Sequence, residues 1–215
     1  MGKAGTPRAG ASKSRLPNAA KWVAFVLALG PLANLVWRAF DPADGLGANP
    51  VEVITRSTGY WSLVMLCLTL LVTPLRKLAG WSWLIRWRRM LGLYAFFYGT
   101  LHVLIYLWLD QGFVLAGILD DILKRPFILV GALAFAMMVP LAITSTQGMI
   151  RRLGRRWGQL HRLVYPMLVL GVLHYWWLKA GKNDLADPVV FAGVAALLLG
   201  VRVWFSWQQR HRTGR

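Results

Sequence analysis

Four histidines occur in the chain, and three of them fall in candidate spans, His102 and His174 inside long apolar runs and His161 at the start of one. An ionisable side chain in such a setting is costly and usually functional. A single buried His can equally serve an interhelical hydrogen bond, but three together point to ligation. His102 precedes Asp110 by eight residues and His174 precedes Lys179 by five. If those charges mark the same end of two helices running the same way, the two imidazoles lie at similar depth. Each could then offer a nitrogen about 2 Å from the iron of a porphyrin held between the helices. An iron with both axial positions filled passes electrons and has no vacant site for oxygen. The single cysteine, Cys67, lies in an apolar run. There is no Cys-x-x-Cys-His for covalent attachment, so side-chain ligands alone would hold a haem. His211, in a basic stretch, reads as a solvated side chain.

His161 precedes His174 by 13 residues, about 20 Å along an α-helix. Counting 14 residues back from His102 reaches Arg88, close to four whole turns, so Arg88 and His102 face roughly the same way. This pairs Arg88 with His161 and suggests a second, inner haem, with Arg88 as a weak sixth ligand or a partner for the propionates. Two facts oppose it. Arg88 belongs to the run Arg86, Arg88, Arg89, which charge bias at a membrane surface explains by itself. A 13-residue step also turns an ideal helix about 140° out of register, so the two His share a face only if the helix bends, for which Pro166 is placed.

The elements that must position these residues are membrane helices. Of 215 residues, 57% are hydrophobic and 15% charged, yet the net charge is +17; mean hydropathy is +0.48. Soluble domains do not combine these values. A sequence pI near 11.2 would suggest nucleic-acid binding if the basic residues shared one face of a soluble fold; here they lie between apolar runs. Charge is absent from Lys21 to Arg38, Ser57 to Leu75, Met90 to Leu109, Pro126 to Ile150, Leu163 to Leu178 and Pro188 to Val201, apart from the flanking residues named. These runs predict an all-α, six-transmembrane-helix bundle. Gln111–Leu119 is too short to span and reads as an interfacial stretch. All eight acidic residues (Asp41, Asp44, Glu52, Asp110, Asp120, Asp121, Asp184, Asp187) fall in the loops after spans one, three and five. Most Lys and Arg fall in the alternate loops and the termini, which the positive-inside rule makes cytoplasmic. Both termini are therefore expected in the cytoplasm, with Trp at both interfaces and span one a signal anchor. The expected organisation is a basic tail over 1–21, disordered to about Asn18, a membrane domain over 22–207 and a second basic tail over 208–215. No internal repeat and no dinucleotide or phosphate-loop motif stands out.

Arg88-Arg89-Met-Leu-Gly-Leu through Tyr98 to His102, then Thr144-Ser145, Trp157-Gly-Gln-Leu-His161-Arg-Leu-Val-Tyr165 and His174 resemble the ferric-reductase-like transmembrane family. The likeness runs from about Trp22 to Trp207, includes Thr73-Pro74-Leu75-Arg76, and is greatest to the haem-binding membrane subunits of bacterial periplasmic methionine-sulfoxide reductase systems. It implies a b-type haem protein of the bacterial inner membrane, an electron-transfer subunit rather than the catalytic one. Electrons would come from the quinone pool or a cytoplasmic flavin reductase. They would go to a periplasmic molybdenum-cofactor reductase that repairs methionine sulfoxide in envelope proteins. Larger relatives carry a cytoplasmic flavin domain and two His on each of two helices. This chain shows no flavin domain, and Arg88 stands where the fourth His would be, so the resemblance implies one haem or two. Some members of the group are credited with FMN, for which no motif is visible.

Two other classes compete. A transporter or channel fits the span count, but no span carries an Asp or Glu for coupling and no broken half-repeat appears. A quinol-oxidising cytochrome b or a metal reductase serving another acceptor would carry the same haem residues.

Overall fold

The computed structural model describes residues 18–41 and 45–213; the expected disordered tail and Asp44 lie outside these. Among the described residues nine α-helices run in the order α1 (Asn18–Phe40), α2 (Pro50–Ala79), α3 (Ile85–Ile105), α4 (Leu115–Lys124), α5 (Pro126–Ile143), α6 (Gln147–Leu153), α7 (Arg155–Leu160), α8 (Val164–Ala180) and α9 (Ala186–Thr213), with no strand. Six segments of the described residues are long and apolar enough to cross a bilayer: Trp22–Phe40, Pro50–Ala79, Ser82–Asp110, Pro126–Ile143, Arg155–Ala180 and Ala186–His211. The fold is thus an all-α, multi-pass membrane bundle with six candidate spans. One end of it carries Glu52, Asp110, Asp120, Asp121, Asp184 and Asp187; the other carries the basic last turn of α2, the Arg-rich start of α3, and α6 and α7. We call these the acidic and basic ends.

Each boundary has a local cause. Asn49 caps α2 by accepting the Glu52 amide at 3.2 Å, Pro50 fills the first helical position, and Gly80 ends the helix with φ +71°, a value glycine adopts without strain. Thr146 caps α6 by accepting the Met149 amide. A 3-10 turn over His161–Leu163 separates α7 from α8. Pro166 follows, and its missing N–H leaves the Arg162 carbonyl without an α-helical partner. The irregularity expected near Pro166 therefore lies on its N-terminal side.

The interfacial stretch expected at 111–119 is displaced a few residues along. A π-helical turn, Tyr106–Asp110, ends span three, and Gly112 and Phe113, both at positive φ, reverse the chain into the ten-residue α4. Asp121 on α4 turns inward, accepting from Tyr106 Oη at 3.1 Å and Gln111 Nε2 at 2.8 Å and pairing with Arg125. Leu115, Leu119 and Leu123 are exposed along the opposite side.

The core lies where α2, α3, α8 and α9 meet, around the fully buried Leu70, Tyr98 and Leu168. Tyr94 and Tyr98 fasten α1 to α3 by donating to the carbonyls of Phe25 and Ala28 at 2.9 and 2.8 Å. Helix α2 packs most extensively on α3, and α5 on α8. The spans carrying His102 and His174 thus each have one principal companion.

Candidate intramembrane bis-histidine site

His102 on α3 and His174 on α8 come together. Their ring centres are 6.1 Å apart and their planes cross at 78°. Each ring is fixed from behind by the companion helix: His102 Nδ1 lies 2.8 Å from the Thr55 carbonyl on α2, and His174 Nδ1 lies 2.6 Å from the Phe127 carbonyl on α5. A carbonyl can only accept, so each Nδ1 carries the proton and each Nε2 keeps its lone pair for a metal.

Two glycines make this close seating feasible. One turn after Thr55, a Cβ built on Gly59 would stand 3.0 Å from His102 Nδ1; one turn after Phe127, a Cβ on Gly131 would stand 2.7 Å from His174 Nδ1. Both carbonyl-to-imidazole bonds span 47 residues. Gly99-Thr-Leu-His102 is matched by Gly171-Val-Leu-His174 at the same shift in number as Gly59 to Gly131. The pairs α2–α3 and α5–α8 are therefore built on one plan, an internal correspondence that was not apparent from the sequence.

The pair fits a haem. An axial nitrogen lies about 2 Å from the iron and roughly 1 Å from its own ring centre, so trans imidazoles have centres roughly 6 Å apart. Among the described residues no cluster of three or more His, Cys, Asp or Glu could hold a metal ion. Two imidazoles alone hold a bare ion weakly, and suit an iron that brings four equatorial nitrogens of its own.

His161 stands apart, toward the basic end. Trp157 stacks on its ring with centres 4.0 Å apart, and its Nδ1 lies 3.1 Å from the Trp157 carbonyl. Trp157 is anchored in turn, its indole Nε1 donating to the Thr144 carbonyl at 3.0 Å. Arg88 is half-buried while Arg86 and Arg89 are exposed. Sequence reasoning passed over Gly59, Gly131 and Arg202, although the repeated Gly-x-Leu-His could have drawn attention to the first two.

Fold and site together define a multi-pass membrane protein with two facing imidazoles held by backbone carbonyls inside the bundle. Residues 58–172, which include His102 and end just before His174, match the family model described as ferric reductase like transmembrane component. The protein-methionine-sulfoxide reductase heme-binding subunit MsrQ of Herminiimonas arsenicoxydans is 54% identical over 193 residues, covering 89% of this chain and 88% of the relative. The subunit of that name from Ralstonia nicotianae is 60% identical over 185 residues, 86% and 84% of the two chains. That from Xanthomonas campestris pv. campestris is 50% identical over 209 residues, 95% of each. The chain belongs to the ferric-reductase-like transmembrane family, among the MsrQ subunits.

Proposed function

We propose that the chain is a b-type haem protein of the bacterial inner membrane that carries electrons across the bilayer to a periplasmic methionine-sulfoxide reductase. The observation that carries this is the His102–His174 pair, 6.1 Å between ring centres with both Nδ1 atoms held by carbonyls. A haem ligated there supplies a one-electron ferric/ferrous couple with no open coordination position. The relatives' printed name supplies the reading of the acceptor. The charge distribution supports the direction: the basic end suits the cytoplasm, which would place both termini there, and the acidic end faces the periplasm. The donor would be quinol or a cytoplasmic flavin reductase, and the acceptor a molybdenum-cofactor enzyme. His161, with Arg88 nearby, is the candidate ligand of a second, inner haem; FMN is the candidate alternative cofactor on that side.

Reconstitution in liposomes tests the direction and the acceptor. With quinol or a flavin reductase supplied at the basic end, the haem is expected to be reduced and a methionine-sulfoxide reductase added at the acidic end to turn over. Reduction of the haem with turnover of a different acceptor, and none of the sulfoxide reductase, overturns the repair function and leaves a transmembrane cytochrome b.

A further inference from the structure

Arg202 lies on α9, 15 residues beyond Asp187, which is about 22 Å of helix and places it within the half of the bundle nearer the basic end. Part of its setting is structural. Pro74 in α2 has no N–H to give the carbonyl one turn earlier, that of Leu70, and Arg202 Nη2 donates to that carbonyl instead. Nη1 reaches Tyr165 Oη at 3.3 Å, and the guanidinium carbon lies 5.4 Å from the centre of the Tyr165 ring. Nε is buried with no hydrogen-bond partner.

These contacts hold the side chain but leave its charge unbalanced. None of the ion pairs among the described residues includes Arg202 or Arg88. Every carboxylate of the described chain lies at the other end of the bundle, and Arg88, half-buried in the first turn of α3, adds a second positive charge to the basic half. A buried guanidinium satisfied only by neutral groups, with one N–H left over and no carboxylate in its half of the bundle, is strongly unfavourable in a low-dielectric setting. A neutral donor such as Gln would serve the Leu70 carbonyl without that penalty, so the tie to α2 does not account for an arginine.

We infer that Arg202, with Arg88 as a second cation of the same half of the bundle, forms a seat for an oxyanion, a carboxylate or phosphate carried by a bound cofactor or lipid. A planar guanidinium suits such a group, giving two parallel charge-assisted bonds, and Tyr165 Oη fixes the plane of the fork. This deepens the reading above by assigning two cations to whatever anionic ligand occupies the basic half. It does not depend on which ligand that is: haem propionates, an FMN phosphate and a lipid phosphate share the chemistry.

The test is native mass spectrometry of the full-length protein in detergent, as wild type, Arg202→Gln and Arg202→Lys, with haem, FMN or phosphatidylglycerol supplied in separate arms. Arg202→Gln keeps a donor for the Leu70 carbonyl and removes the charge. Far-ultraviolet circular dichroism and the gel-filtration profile report folding in each variant. The expected result is that one adduct, carried by the wild type, falls at least about tenfold in occupancy in Arg202→Gln and is partly kept in Arg202→Lys; the affected arm names the source. Equal occupancy of all three ligands in wild type and Arg202→Gln overturns the proposal, as does an equal loss in Arg202→Gln and Arg202→Lys, which would mark a packing effect. If the low-spin haem assigned to His102 and His174 is missing from the wild type, it is the bis-histidine reading that fails, and the oxyanion comparison can still be read from the FMN and lipid arms.

Discussion

His102→Ala and His174→Ala are each expected to remove the same low-spin b-type absorbance and to lower the haem-to-protein ratio by one. Either ring alone leaves the iron five-coordinate and loosely held, because no third metal-ligating side chain is grouped with the pair among the described residues. Purified variants compared by reduced-minus-oxidised spectra and haem extraction give the answer, and retention of the wild-type ratio in both rules the pair out as the ligand set. The wild type carries a further signature. Imidazole planes held at 78° to one another would leave two d orbitals of an iron bound between them nearly equal in energy. The oxidised protein should therefore show a strongly anisotropic low-spin electron paramagnetic resonance signal, with one dominant low-field feature. A rhombic three-line spectrum would mean that the rings turn parallel when iron binds.

Gly131→Ala should be the most damaging methyl addition in the bundle. The new carbon would stand 2.7 Å from His174 Nδ1, closer than real side chains approach, and the atom it meets belongs to a ring already fixed by the Phe127 carbonyl. The imidazole has to swing away and give up that bond. Loss of an outer-shell partner of this kind typically costs 10–100-fold in affinity for the metal group, and haem titration of the apo-protein should show a drop in that range. Gly59→Ala, at 3.0 Å from His102, should fall in the lower part of it. Gly193→Ala is the control, since a Cβ there meets nothing within 4 Å. Indistinguishable haem affinity in Gly131→Ala and Gly193→Ala would show that the cradle does not position the ligand.

The six spans were legible because hydropathy and charge bias act over whole helices, and the bilayer imposes the length. The matched depth of His102 and His174 was legible too, since Asp110 and Lys179 mark where their helices leave the apolar zone. What supports the rings was not. Thr55 and Phe127 contribute main-chain carbonyls, which have no sequence signature. Gly59 and Gly131 resemble any small residue at a membrane helix crossing until a neighbour is known to press on them. The correspondence between the two helix pairs stayed hidden because it rests on a handful of identities, with different residues filling the positions between. Arg202 looked like the charge that ends a span. Only the carbonyl freed by Pro74, on a helix far away in sequence, shows that it turns inward.

That shared plan bears on how the protein is made. Each helix pair completes its own half of the cradle, one carbonyl, one glycine gap and one imidazole, before the other half is needed. The first pair is fully synthesised before α5 emerges from the ribosome. Neither half holds a full ligand set, so a prosthetic group bound by both can be captured only when the two hairpins have met in register. Cofactor uptake would then serve as a checkpoint on assembly: chains with misplaced helices would stay colourless and lack the cross-link that keeps the halves together.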